Sequence, residues 1–371
     1  MSISFIQTQD ELVSFCQQLA HSKWLALDTE FLREKTYYAQ LCLLQISNGE
    51  ILACIDTLAV DDLTPLLDII YDANIIKVLH SAFQDLEILF NLRQSTPKPV
   101  FDTQIAAAML GQGYQISYAA LVKELLDVEL DKSHSRTDWS RRPLSDAQLE
   151  YAANDVLFLG DIYLKLRDSL MDCGRLDWLE EDDSLLTDEK QYVIDFDNIW
   201  LRVKGKERLN HQQLAVLRAL ASWREQRAIK IDRPRRWVMK DDVLVALAQL
   251  QGDSLPDDLE LSDKFIHQYG EELVSLIQQA ARLPESEWPE FNIRPRPDKT
   301  EKHIIKTLSQ FVDKTAAELN MESAILTTRR ELAALYHGTR KLPVLHGWRA
   351  TVIGNSLLAL LEELQQAVAE Q

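Results

Sequence analysis

The sequence contains few cysteines, no long hydrophobic run and no nucleotide-binding loop. Its four cysteines, Cys16, Cys42, Cys54 and Cys173, are scattered without CxxC spacing, which argues against structural zinc and predicts a reducing, cytoplasmic location. No apolar run approaches the ~18–20 residues that span a bilayer, so no membrane association is expected. The start, MSISFIQTQDELVSFC, lacks the basic and apolar regions of a signal peptide. No GxxxxGK(S/T) loop occurs, so no ATP-driven activity is expected.

Positive charge is also scarce, and it is unevenly distributed. The net charge of −18 at first argues against a nucleic-acid partner, but binding depends on local patches rather than on the total. Residues 174–190 are strongly acidic, whereas the stretch from Arg202 to Lys240 has twelve lysines and arginines against three acidic residues. That basic stretch (residues 202–240) is either a solvated helix face or a binding surface.

The pattern of short apolar runs predicts an α/β domain over residues 1–195. Four runs are typical of strands, KWLALDTEF, AQLCLLQIS, EILACIDT and NIIKVLH, and the first three follow one another as antiparallel neighbours would. Helical patterns alternate with them, including LTPLLDIIYD, SAFQDLEILFNL and ISYAALVKELLD. A chain of 371 residues exceeds one typical domain. We therefore expect a mixed sheet covered by helices, followed by further domains.

The remainder of the chain has almost no strand signal and predicts two helical domains. The first covers residues 196–285 and the second residues 301–371, joined by a linker over residues 286–300 that is rich in proline and charge. The segments WVMKDDVLVALAQL and ILTTRRELAALYHG are weakly alike, each with a pair of charged residues ahead of an apolar helix. This similarity predicts a repeat.

Two acidic residues interrupt the first strong strand pattern. Asp28 and Glu30 are one residue apart in WLALDTEF, so their side chains project from the same face, with Cα atoms roughly 7 Å apart. Burying two like charges without a cation is costly. The strand therefore either ends in water or places the pair beside a positive ion.

A third carboxylate, Asp85, is predicted near the start of a helix that follows the strand NIIKVLH. Ser81 and Gln84 have the spacing of a capping box, which would begin the helix at that point. A favourable interaction of Asp85 with the helix dipole is the alternative to a functional role.

The fourth carboxylate, Asp155, is predicted on a helix that begins with a capping box at Ser145 and Gln148. Tyr151 and Asp155 are one turn apart on the same face. Asp155 lies beside the apolar stripe of this helix, so it needs a partner, and a salt bridge to Arg141 or Arg142 is the alternative to a metal site.

If the four carboxylates converge, multivalent cations must offset their repulsion. Ligation by oxygen alone favours Mg²⁺ or Mn²⁺ over zinc. Two such ions about 4 Å apart can hold the attacking and leaving oxygens of a phosphodiester. A phenol beside one carboxylate could orient the attacking water. The residues therefore predict a metal-dependent phosphodiesterase.

The segments LDTEF, HSAFQDL and YAANDV, in this order and spacing, resemble the three exonuclease motifs of the DEDD superfamily, in its tyrosine-bearing branch. A closer similarity is to the ribonuclease D family, which TYYAQLCLLQIS, LDKSHSRTDWSRRPLSDAQLEYAANDVLFL and NIWLRVKG resemble. The two C-terminal modules resemble the helicase-and-RNase-D C-terminal (HRDC) domain, the first more clearly than the second.

This resemblance implies a ribonuclease H-like exonuclease fold followed by two all-α HRDC-type domains. It implies that Asp28, Glu30, Asp85 and Asp155 bind two Mg²⁺ or Mn²⁺ ions and that Tyr151 helps to position the nucleophilic water. The implied reaction is hydrolysis of RNA from its 3′ end, with release of nucleoside 5′-monophosphates. The implied substrates are structured RNAs with single-stranded 3′ tails, notably tRNA precursors.

Two residues beside the motifs are further candidates for the site. Phe31 and His80 flank the motifs and are candidates for contact with the terminal nucleotide, with ordinary packing at the sheet edge as the alternative.

A DNA 3′–5′ exonuclease would use the same fold and chemistry. A catalytically silent RNA-binding scaffold would need only the helical modules, although the intact acidic set argues against it. A monomer is expected.

Overall fold

In a computed structural model of the chain, residues 2–131, 137–250, 254–256, 259–291 and 297–369 are described. The chain forms two units. The first contains Met1–Leu32, Leu41–Tyr192 and Arg296–Gln371, and the second contains Arg33–Gln40 and Val193–Pro295. Among the described residues, no helix has both the length and the apolar character needed to cross a bilayer.

The strands and helices are the following, in chain order. The strands are β1 (Ile3–Ile6), β2 (Trp24–Leu32), β3 (Gln40–Ser47), β4 (Leu52–Ile55), β5 (Ile76–Leu79) and β6 (Val100–Asp102). The helices are α1 (Gln9–Leu19), α2 (Thr64–Ile70), α3 (Phe83–Arg93), α4 (Thr103–Met109), α5 (Tyr118–Leu126), α6 (Asp146–Leu157), α7 (Leu159–Asp172), α8 (Leu176–Leu186), α9 (His211–Lys230), α10 (Arg235–Val238), α11 (Asp241–Ala248), α12 (Asp263–Ala281), α13 (Lys299–Glu318), α14 (Ser323–Leu326), α15 (Arg329–Tyr336), α16 (Gly347–Arg349) and α17 (Asn355–Ala369).

The sheet is mixed, which confirms the predicted fold class. Its strand order is β1-β4-β3-β2-β5-β6. Strands β3 and β4 pair antiparallel, whereas β1 with β4, β2 with β5 and β5 with β6 are parallel. All four predicted strands are present. The sequence patterns missed β1 and β6, which have four and three residues.

Helices α6 and α7 pack against the sheet and bring the third motif to it. Val156 of α6 and Ile162 of α7 are buried in the same apolar cluster as Ala26 and Val78 of the sheet. Gly160, in the first turn of α7, lies so close to the ring of Trp24 that an added Cβ would be 2.1 Å from it. A larger residue at this position would push α7, and with it the end of α6, away from β2.

Of the two predicted capping boxes, one is confirmed and the other is wrong. Ser145 and Gln148 form the reciprocal hydrogen bonds of a capping box at the start of α6, as predicted. The box at Ser81 is wrong, because α3 begins at Phe83 after Ala82 and has no side-chain cap. Ser81 instead has a left-handed backbone (φ 62°), and its N–H donates to Oδ1 of Asp102 at 3.1 Å. A distant carboxylate therefore replaces the local cap.

The helical modules repeat the same succession of helices. Helices α9, α10 and α11 have 20, 4 and 8 residues, and α13, α14 and α15 have the same three lengths. These lengths support the predicted repeat. The first module lies in the second unit, whereas the second module is grouped with the exonuclease domain. The predicted boundaries at 195, 285 and 300 stay predictions. Helix α13 begins at Lys299, and residues 292–296 of the predicted linker are outside the described residues.

Candidate active site

Strand β2 presents two of the predicted carboxylates. The strand extends to Leu32, so Asp28 and Glu30 lie within it rather than at its end. Both side chains are partly buried, while the preceding residues Leu25 and Leu27 are fully buried. Hydrogen bonding on both sides of β2 fixes the backbone, and the alternation of the strand directs both carboxylates to one face.

Helix α6 adds the third carboxylate to this pair. Asp155 is in the last turn of α6, and its carboxylate oxygen lies within 4.8 Å of oxygens of Asp28 and Glu30. Asp155 is more than 120 positions from Asp28 and Glu30 in the sequence, so their meeting depends on the packing of α6 against β2. Three carboxylates at these distances form a donor set of hard oxygen ligands, which fits a divalent cation.

The fourth carboxylate, Asp85, adjoins this cluster through a residue that the sequence analysis did not single out. Asp85 is the third residue of α3 and is 7 % exposed. Its Oδ1 accepts a hydrogen bond from the hydroxyl of Thr29, which lies between Asp28 and Glu30. Thr29 is part of the LDTEF motif, but no neighbouring residue in the sequence indicates that its hydroxyl would contact Asp85, 56 residues further along the chain.

Burial raises the pKa of every carboxylate in the cluster, and repulsion between members of the cluster adds to the rise at Asp28 and Glu30. Burial raises the pKa of Asp28 well above its usual range, and the charges of Asp85, Asp155 and Glu30 add to it. Burial, followed by the charges of Asp155 and Asp85, raises the pKa of Glu30 to about 8. Burial also raises the pKa values of Asp85 and Asp155 to about 7, although the hydrogen bond from Thr29 opposes the shift at Asp85. Such mutual repulsion is what a bound cation would relieve.

The salt bridge that was considered for Asp155 is not formed. Arg141 pairs with Asp138 at 3.0 Å. Arg142 donates both Nε and Nη2 to Asp56 at 2.6 Å, and Asp56 is 1 % exposed on its side chain. In the described part of the chain, no ion pair joins Asp155 or the other three carboxylates to a lysine or arginine. The cluster thus has no protein counter-charge among these residues.

Tyr151 lies one turn before Asp155 on α6, as predicted, and its phenol is close to the cluster. Burial raises its pKa, and the negative charges of Asp155, Glu30 and Asp28 raise it further. The ring stacks on that of Trp139, with centroids 6.3 Å apart and an angle of 29° between planes. Trp139 is 3 % exposed and was not predicted as a site residue, although it lies in the family-like stretch before α6.

The two weaker candidates have different surroundings. Nε2 of His80 donates to the carbonyl of Ile116 at 3.0 Å, and Nδ1 lies 2.9 Å from the hydroxyl of Thr103. Burial lowers the pKa of His80, which favours a neutral ring with both nitrogens engaged. Phe31 is partly buried next to Glu30 on β2. For both residues, contact with a terminal nucleotide stays a prediction.

In the second unit, the basic stretch (residues 202–240) is only partly available to a ligand. Arg224 is 2 % exposed and pairs with Asp241 at 2.7 Å, and Lys240 pairs with Glu260 at 2.5 Å. Other basic residues of the stretch are exposed, among them Arg202, Lys204, Arg208, Lys230 and Arg236. The stretch is therefore neither a uniform solvated face nor a uniform binding surface.

Comparisons with known proteins agree with this geometry. Residues 3–171 match a family model described as 3′-5′ exonuclease, and residues 213–277 match the HRDC domain. A ribonuclease D of Pseudomonas paraeruginosa is 38% identical over 369 residues, which cover 97% of this chain and 98% of the relative. The ribonuclease D of Escherichia coli is 34% identical over 377 residues, with 99% and 100% covered. The chain belongs to the ribonuclease D family.

The crystal structure of Escherichia coli RNase D, an exoribonuclease involved in structured RNA processing, has a TM-score of 0.87 to this chain at 33% identity. The match covers 98% of this chain and 99% of that one. As a member of the ribonuclease D family, the protein is a 3′–5′ exoribonuclease with RNA as its substrate class, which confirms the predicted enzyme. Its exonuclease fold implies the use of divalent metal.

Proposed function

We propose that this ribonuclease D family member removes nucleotides from the 3′ ends of structured RNAs, tRNA precursors among them, with the help of two Mg²⁺ or Mn²⁺ ions. The observation that carries the proposal is the approach of Asp28, Glu30 and Asp155 to within 4.8 Å of one another. No lysine or arginine neutralises them among the described residues. Hard cations are the counter-charge that such oxygen donors select.

In this proposal Asp28, Glu30 and Asp155 hold the ions together with Asp85, which Thr29 orients through its hydroxyl. Bound divalent ions supply Lewis-acid activation and offset the charge that develops on the phosphate. The protein must first release the protons that the raised pKa values of Glu30 and Asp155 retain near neutral pH. Ion binding and proton release are thus linked.

Tyr151 would orient the attacking water. Its phenol stays protonated at neutral pH, because burial and the neighbouring charges raise its pKa. A protonated phenol can donate one hydrogen bond and accept another, and the stack on Trp139 holds the ring in place. Tyr151 is therefore assigned a positioning role rather than that of a general base.

The overall step is the hydrolysis of the last phosphodiester. Water adds to phosphorus, the bond between phosphorus and the 3′-oxygen breaks, and the terminal nucleotide leaves with a 5′-phosphate. The 3′-oxygen of the shortened RNA takes up a proton. The same site can then act on the next nucleotide, since the product again ends in a 3′-hydroxyl.

The substrate proposal rests on the relatives. The Escherichia coli enzyme is described as acting in structured RNA processing, and precursors with unpaired 3′ tails present a single-stranded end to the site. We further propose that the protein is monomeric. We also propose that it acts in the cytoplasm, because none of its four cysteines, all described, forms a disulfide.

The test compares one precursor tRNA carrying a 3′ trailer with the mature tRNA and with a DNA of the same trailer sequence. We expect stepwise shortening of the trailer with release of 5′-monophosphates in Mg²⁺ or Mn²⁺, little action on the mature form, and slower action on DNA. Replacement of Mg²⁺ by Ca²⁺ should arrest cleavage, because the larger ion tolerates looser coordination. Internal cuts, or equal rates on RNA and DNA, would overturn the proposal.

A further inference from the structure

Trp237, in the short helix α10 of the second unit, is exposed to an unusual degree. Its side chain is 63 % exposed. All eight tryptophans of the chain lie in the described ranges, and the other seven are buried or partly buried. An exposed indole does not contribute the large apolar burial by which tryptophan stabilises a fold. This position therefore calls for an explanation other than folding.

The surrounding backbone is held firmly, so the exposure is not a consequence of a loose segment. Val238 and Met239, the next two residues, are 7 % and 2 % exposed and anchor the turn in the core of the unit. The buried side chain of Arg224 donates to the carbonyl of Met239 at 3.0 Å. The N–H of Trp237 donates to the carbonyl of Pro234 at 2.8 Å. The indole is thus presented outward from a fixed turn.

The charge around Trp237 is positive. Residues 230–240, which we call the basic turn, contain five lysines and arginines and one acidic residue, Asp232. Arg235 faces the buried carboxylate of Glu225 at 3.5 Å, and Arg233 donates to the carbonyl of Lys35 at 3.1 Å. Arg236, which directly precedes Trp237, is exposed and forms no ion pair within the described residues.

The repeated module shows what the same turn does elsewhere in the chain. Aligning the repeats by their helix starts places Ile325 at the position of Trp237, and Asn320 at that of Asp232. Asn320 and Asp232 share a left-handed backbone, with φ of 48° and 47°. The two turns therefore have a similar backbone conformation, and they differ in the charge and the aromatic character of their side chains.

In the second module this turn is a docking surface. Ile325 is 8 % exposed, and the N–H of Glu322 donates to the carbonyl of Ala108 on α4 of the exonuclease domain at 3.1 Å. Arg175 donates to the carbonyl of Leu319. There the turn (residues 318–328) carries two glutamates and no lysine or arginine, and it binds protein. In the first module it carries arginines and an indole, which fit a ligand that is anionic and planar.

We propose that the basic turn is a binding site for single-stranded RNA, in which Trp237 stacks on an unpaired base and Arg236 contacts an adjacent phosphate. Aromatic stacking on bases is tolerant of sequence, and a single arginine contact to phosphate positions the strand without reading it. The residues of this site are different from those of the carboxylate cluster. The inference rests on the proposed function, since it supplies a contact for the RNA that the enzyme shortens.

The experiment measures RNA affinity in the full-length chain carrying Asp155→Asn, so that binding is followed without hydrolysis. The probe is a fluorescent oligoadenylate of about 12 nucleotides, with a blunt RNA duplex of equal length as a second probe. Trp237→Ala should weaken binding of the single strand about tenfold, as loss of one base stack does, and change duplex binding less than about twofold. Trp237→Phe should retain most of the affinity, because it keeps an aromatic plane.

Arg236→Gln should lower the salt dependence of single-strand binding by about one unit of slope, as expected for one phosphate contact. Lys264→Gln, an equal change of charge at an exposed position on α12, is the matched control and should leave the slope closer to that of the parent. Sedimentation of the same variants tests the other possible occupant, a second copy of the chain.

The outcomes separate this inference from the proposed function. Equal affinity of Trp237→Ala and the parent for the single strand would overturn the site, as would an equal loss on both probes. A change in oligomeric state without a change in RNA affinity would assign the turn to self-association and also overturn it. If the wild-type chain cleaves RNA while these variants bind normally, this inference alone fails. Absence of cleavage by the wild type would instead count against the proposed function.

Discussion

The hydroxyl of Thr29 on β2 donates a hydrogen bond to Oδ1 of Asp85 on α3. This bond connects the strand that carries Asp28 and Glu30 with the helix that carries the fourth carboxylate. It also opposes the rise in the pKa of Asp85 that burial causes. A hydroxyl beside the metal-ligand candidates thus controls the orientation and the protonation of one of them.

Thr29→Val should reduce metal affinity or turnover about 10- to 100-fold, the usual effect of losing a partner that orients a ligand. The pH profile of turnover should also move to higher pH, because the lost hydrogen bond allows the pKa of Asp85 to rise further. Thr29→Ser is the matched control, since it keeps the hydroxyl. Steady-state kinetics over a range of pH measure both effects, and a valine variant with an unchanged profile would contradict this role.

Asp155→Asn should lower turnover by several orders of magnitude while RNA binding is retained, because the change removes one charged oxygen ligand but little volume. Turnover on a 3′-tailed RNA and affinity for the same RNA are the two measurements. Asp161→Asn is the control, as it makes the same chemical change at an exposed position of α7. Substantial Mg²⁺-dependent cleavage by Asp155→Asn would place the active site elsewhere.

The stability of the metal-free protein should fall as pH rises. In the unfolded chain the carboxylates titrate near ~4, whereas in the folded protein Asp85 and Asp155 titrate at about 7 and Glu30 at about 8. Between these values the folded state binds more protons than the unfolded state, so the free energy of unfolding decreases with pH.

Thermal unfolding from about pH 5 to pH 8.5, with and without Mn²⁺, tests this linkage. Mn²⁺ should raise the midpoint most at the alkaline end, where the carboxylates have lost their protons and bind the ion without competition. Asp155→Asn should reduce the dependence on pH. An increase in metal-free stability over this range would contradict the raised pKa values.

The second helical module is held to the exonuclease domain by a stacked pair of indoles. The rings of Trp178 and Trp348 have centroids 4.5 Å apart and an angle of 2° between planes. Nε1 of Trp348 donates to Asp182 at 3.2 Å, and Arg349 also pairs with Asp182. These contacts join the second helical module to α8 of the exonuclease domain.

Trp348→Ala should lower the free energy of unfolding of that unit by about 3–5 kcal/mol, as expected for removal of a buried aromatic side chain. The exposed Trp237 provides the matched control, because the same substitution there should change stability by no more than about 0.5 kcal/mol. Denaturant unfolding of both variants makes the comparison. Equal stabilities would show that the stacked pair contributes little.

Several features of the site followed from the sequence because they depend on neighbouring residues. Strand alternation places Asp28 and Glu30 on one face, and the helical period places Tyr151 one turn before Asp155. The capping box at Ser145 was visible for the same reason, since its members are three residues apart. The capping box predicted at Ser81 is wrong, because the backbone N–H of Ser81 donates to Asp102, a residue that is distant in the sequence. Patterns of neighbouring residues do not indicate such a contact.

The sequence by itself determined four of the six strands, the helical character of the C-terminal modules, the residue types of the candidate site and the family. Only the tertiary structure decided that the oxygens of Asp155 lie within 4.8 Å of those of the β2 pair, that Arg142 pairs with Asp56 instead, and that Trp237 is exposed while Ile325 is buried. Local geometry is set by covalent structure and the hydrogen bonding of adjacent residues, whereas these contacts depend on how distant segments pack together.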